Sequence, residues 1–90
     1  MPETKFPLGR VVITSHALDA LHPEDVKICL GRHVNGDWGD LCEADRRENE
    51  ISLNQNLRLF SVYQDRSKTK FWIITEADRS ATTVLLPEDY

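Results

Sequence analysis

Residues 57–87 read LRLFSVYQDRSKTKFWIITEADRSATTVLLP, and their pattern decides the fold. Three β-rich runs, "LRLFSVYQ", "KFWIITEA" and "ATTVLLP", are separated by the turn-like "DRSKT" and "DRS". Connections this short make an antiparallel meander the natural arrangement. The middle run is apolar on both faces, with Phe71 and Ile73 on one and Trp72 and Ile74 on the other. Helices can cover one face. The other needs a cover too, from the N-terminal segment or a second subunit, the latter being a homodimer through that second face.

Upstream, the pattern turns helical. Arg10 to Thr14, "RVVIT", suits a short strand, after which Ser15 can cap a helix through residues 16–21. Pro23 fits the first turn of a second helix, and Glu24 and Asp25 favour its positive end. Val26, Cys29, Leu30 and His33 recur at spacings of three and four, giving that helix one buried stripe. Asn35-Gly36 closes it. Asp40 followed by Glu43 has the spacing of a capping box and starts a third, polar helix near Leu41, with Leu41, Ala44 and Ile51 free to touch a core. The fold class is α+β. An N-terminal short strand and two to three helices pack on a C-terminal three-stranded antiparallel meander, as a single domain over 1–90.

Composition narrows the function. The 90 residues carry 40% hydrophobic and 29% charged side chains, as an ordinary globule does. The net charge of −4, with basic residues scattered among acids as in Asp45-Arg46-Arg47-Glu48, argues against nucleic acid as the main partner. No apolar run reaches bilayer length, and the first five residues lack a signal peptide's apolar core. The expectation is a cytoplasmic chain off the membrane, with Cys29 and Cys42 as free thiols.

The densest local stretch, "RHVNGDWGDLCEADRR" at 32–47, reads as a helix junction. Its Asn35, Asp37 and Asp40 miss the alternating oxygen ligands of a calcium loop. Trp38 plugs the junction, its ring on the core and its N–H on a backbone carbonyl. Cys29, His33 and Cys42 lack the paired C-x-x-C spacing of a zinc site. No metal and no cofactor is assigned.

Two function classes remain. One is an enzyme: His16 as general base and Arg79 as charge stabiliser, with Thr82 beside it, are the residue types for metal-free RNA cleavage. The leading helices and terminal meander resemble RelE/barnase-like ribonucleases and toxins. "SHALDAL" is similar to the Ser-x-His-Ala helix start of some of them, with Asp19-Ala20 where those carry Glu-Arg. The other class is a protein binder. The exposed acids Glu43, Asp45, Glu48, Glu88 and Asp89, with Trp72, are its contact candidates, suited to a basic groove on another protein.

A further resemblance spans most of the chain. "GRVVIT", "RHVNGDWGDL", "RLFSVY" and above all "WIITEADRSATTVLLPEDY" resemble a family of small plasmid-related proteins of bacterial plasmids and integrative elements. The resemblance implies a mobile-element setting without a mechanism. The favoured reading is an accessory protein of such an element, serving maintenance or counter-defence through protein binding.

Overall fold

The structure, a computed structural model, describes residues 4–90. Strand β1 (Arg10–Ile13) leads into helices α1 (Ser15–Ala20), α2 (Pro23–Val34) and α3 (Glu43–Gln55). Strands β2 (Leu59–Gln64), β3 (Lys70–Thr75) and β4 (Ala81–Leu85) follow, and a 3-10 turn at Pro87–Asp89 closes the chain. The α+β class holds. The expected meander is present, but the sheet has four strands in the order β1-β4-β3-β2. β1 joins it parallel to β4, with Val12 beside Thr83. Parallel pairing requires a long crossover, and the helices together with β2 and β3 supply it.

Pleat alternation sorts the side chains. Leu59, Ser61 and Tyr63 of β2, Phe71, Ile73 and Thr75 of β3, and Thr82 and Val84 of β4 are buried on one face. There Ala17 of α1, Leu21 at its C-terminal cap, and Val26 and Cys29 of α2 pack on Tyr63, Phe71, Ile73 and Val84. A second cluster joins Phe6, Val34, Trp38, Leu41 and Leu59.

The caps differ from expectation. Thr14, one residue earlier than Ser15, caps α1 by accepting the Ala17 N–H. Cys42, not Asp40, stands at the N-cap of α3, because the Asp40 N–H is already given to the Val62 carbonyl. Ala44 and Ile51 face solvent. Asn49 and Leu53 touch the protein instead. Trp38 does plug the junction, but its indole N–H donates to the Glu50 carboxylate on α3 rather than to a carbonyl.

The β2 edge is closed by three pieces of the helical region. Asn49 donates to the Phe60 carbonyl and accepts the Phe60 N–H. The Val62 N–H donates to the Trp38 carbonyl, and the Val62 carbonyl accepts from Asp40. Gly39 lies between these two contacts, bridged to Val62 at φ 74°. A Cβ there would overlap the Val62 carbonyl oxygen and meet a Tyr63 ring carbon at 2.7 Å, so only glycine fits.

The N-terminal segment does not cover the second face of the meander. The 3-10 turn reverses the chain so that Tyr90 lies edge-on to Trp72, with ring centroids 5.6 Å apart. Phe6 of the N-terminal segment packs on the opposite side, against His33 and Trp38.

Candidate functional site

His16 projects from the first turn of α1 with its side chain 72% exposed, and its Nδ1 lies 2.7 Å from Asp89. The Asp89 carboxylate also accepts the Thr14 hydroxyl at 2.7 Å and the Leu86 N–H at 3.1 Å. This contact candidate is therefore a brace that ties the C-terminal turn to α1. The Thr14 hydroxyl first, and then His16, hold the Asp89 carboxyl below its usual range. The Asp89 hydrogen bond raises the His16 pKa in return.

Arg79 sits in the β3–β4 turn at φ 62°, and its guanidinium is already committed. Nη1 donates to the carbonyls of Leu57, Glu76 and Ala77, and Nη2 to that of Ser52. The cation thus closes the C-terminal end of α3, where the helix dipole favours it, and lies over the Phe6 ring. It does not pair with a neighbouring acid: Glu76 is approached at 3.8 Å by Arg58.

His16 and Arg79 lie at opposite ends of β4. The Thr14 N–H bonds Val84 near its C-terminal end, and Arg79 precedes its first residue. Five extended residues, at roughly 3.3 Å each, separate the two sites by about 16 Å. That is too far to share one phosphate. Thr82 is fully buried and hydrogen-bonded to Leu8 and Thr75. The structure does not bring the three together.

Thr82 belongs to a different constellation. His33 is fully buried, with Nδ1 2.5 Å from Ser61 Oγ and Nε2 2.9 Å from Thr75 Oγ1. Thr75 lies 2.8 Å from Thr82, whose hydroxyl donates to the Leu8 carbonyl at 2.7 Å. A hydroxyl has one proton, so the donors can be assigned from that end. Thr82 gives its proton to Leu8, so Thr75 must donate to Thr82. Thr75 therefore accepts from His33 Nε2–H, and Nδ1 accepts from Ser61. Every proton in the chain has a destination. Burial, with the Arg79 charge adding to it, pulls the His33 pKa down to about 4. The pair has the look of a serine nucleophile and its base, but no solvent reaches it. It is a polar clamp that fixes α2 on β2, β3 and β4.

The two histidines are expected to titrate on opposite sides of the ordinary value of 6.5 in two-dimensional NMR of the imidazole protons. His16 titrates above it and His33 far below. Asp89→Asn returns His16 toward 6.5 and leaves His33 in place; an unmoved His16 contradicts the brace.

An apolar surface groove lies on the other sheet face. Arg58, Phe60, Trp72, Ile74 and Tyr90 line a shallow groove of about 320 Å³. Phe60 and Trp72 meet edge to face at 5.1 Å, and Tyr90, 71% exposed, forms one rim. Arg58 donates to the Tyr90 hydroxyl at 3.0 Å and stacks on its ring. Of the sequence candidates only Trp72 is here. Phe60 and Ile74 share its alternation and were legible in principle. Arg58 and Tyr90 arrive only through the chain reversal. Glu43, Asp45 and Glu48 are exposed on α3, and Glu88 is exposed beside the C-terminus.

Cys29 is buried and Cys42 exposed, both free, while His33 is spent on Ser61 and Thr75. Among the described residues no three His, Cys, Asp or Glu side chains are placed to hold a metal ion, and no helix is long and apolar enough to cross a membrane. Comparison with family models, curated proteins and solved structures yields no match.

Proposed function

We propose that the chain is a small accessory protein that acts by binding another protein, in the mobile-element setting implied by the family its C-terminal motif resembles, with no catalytic activity assigned to it. The groove carries this reading. It is an open apolar concavity on a sheet face, rimmed by one arginine and sized for a single anchoring side chain. The ribonuclease reading draws no support from a His16 and an Arg79 at opposite ends of β4. The acids of α3 and the net charge of −4 suit a partner with a basic surface around an aromatic or aliphatic anchor.

The test uses purified protein immobilised in a bacterial lysate, followed by reconstitution with each retained protein in pure form. A stoichiometric complex is expected, weakened about tenfold or more by Trp72→Ala and by the surface change Arg58→Glu, both checked for native circular dichroism. A complex indifferent to both variants removes the groove from the reading. Growth arrest on induction that His16→Ala abolishes would replace the reading with an enzymatic one.

A further inference from the structure

The two edges of the sheet are treated differently. Asn49, Trp38 and Asp40 occupy the outward backbone groups of Phe60 and Val62 on β2. At the opposite edge, the Arg10 N–H donates to Ser80 and the Thr14 N–H to Val84, so residues 10, 12 and 14 face β4. Val11 and Ile13 therefore turn their N–H and carbonyl groups outward. Among the described residues nothing pairs with them. Val11 and Val12 are 47% and 42% exposed, and the strand carries neither the proline nor the bulge that usually blunts such an edge.

We propose that β1 pairs antiparallel with β1 of a second copy of this chain, joining two sheets into one of eight strands. The sequence of the edge is self-complementary in one register. With Val12 on the two-fold axis, the outward groups of Val11 meet those of Ile13 of the second copy, forming narrow hydrogen-bonded pairs on each side. Side chains keep their faces: Val11 and Ile13 meet on the helix-covered side, Val12 meets Val12 on the other. In this register Arg10 arrives opposite Thr14 of the second copy, whose hydroxyl already holds Asp89 and lies near the exposed Glu88. A cation thus meets an acidic corner twice, once at each end of the junction. A lysine- or arginine-rich partner strand would lose that match.

Four residues on each side are a short seam. Stable complexes bury roughly 1,200–2,000 Å², so this one belongs at or below the low end and is read at tens of micromolar. The experiment is sedimentation velocity on the full chain across a concentration series, with Val12→Lys and Val12→Glu as variants. Position 12 is half-exposed and its backbone bonds face β4, so both variants retain the native circular dichroism. The wild type is expected to reach twice the chain mass. Each variant alone is expected to stay monomeric, because like charges stand opposed across the axis at about 5 Å. An equimolar mixture of the two is expected to recover the dimer. A wild type monomeric at millimolar concentration overturns the proposal, as do dimers that survive in each single variant. Variants that fail to rescue one another overturn the register.

Discussion

Gly39→Ala is expected to leave the protein largely unfolded at 37 °C. The new Cβ would come within 1.9 Å of the Val62 carbonyl oxygen, and backbone cannot swing aside as a side-chain tip can. Relief requires moving the 38–40 segment off β2. That breaks both Val62 hydrogen bonds and disturbs the Tyr63 hydroxyl, which donates to the Asp37 carbonyl. A positive φ adds its own cost for any L side chain. Together these come to about 4 kcal/mol, a large share of what a domain of this size has to lose. Gly31→Ala is the matched control. It sits within α2 with nothing within 4 Å of its Cβ position, and alanine there is expected to stabilise by about 0.5–1 kcal/mol. Urea unfolding of the pair reads both signs. A Gly39→Ala protein as stable as the wild type contradicts the close approach to β2.

The second large effect belongs to His33. Its replacement by alanine leaves Ser61 without an acceptor, takes a donor from Thr75, and opens a hole between Phe6 and Trp38. A loss of about 3–4 kcal/mol is expected. The substitution also has a signature that packing alone lacks. His33 stays neutral when folded down to about 4, whereas an unfolded chain protonates it near 6.5. Between those values the unfolded state binds more protons, so wild-type stability falls as the pH drops from 6.5 toward 4, by about 3 kcal/mol from this group. In His33→Ala that part of the slope is expected to vanish. His16 acts with the opposite sign, its contribution being present in acid and lost as the pH rises through its raised pKa. Denaturation curves at several pH values separate the two. A slope unchanged by His33→Ala contradicts the buried neutral imidazole.

Local pattern carried the meander, because alternation and turn chemistry act over a few residues. The stripe of Val26, Cys29, Leu30 and His33 was legible for the same reason. β1 as a fourth strand was not: its partner β4 lies about 70 positions away, and no short-range signal encodes a parallel pairing. The cap of α3 was misread because Asp40 had a second use for its N–H, visible only once Val62 is beside it. Site residues followed the same rule. Trp72 could be named because it lies on the second apolar face of β3, whereas Asp89 looked like a free acid until Thr14 and His16 reached it from the other end of the chain. His33 was recognised as buried, but its partners Ser61 and Thr75 come from strands that a helical period cannot see.

The sealed margin at β2 also sets a limit on growth. A sheet that could be extended on both sides, with an edge as short and branched as Arg-Val-Val-Ile, would be a seed for filaments. Here Asn49, Trp38 and Asp40 remove one side from play, so each molecule has a single place to add another. In the proposed dimer two molecules would use up both, and the assembly would terminate. Asn49→Ala would then do more than weaken α3. It would free the Phe60 N–H and carbonyl at that margin, while Trp38 and Asp40 keep those of Val62 closed.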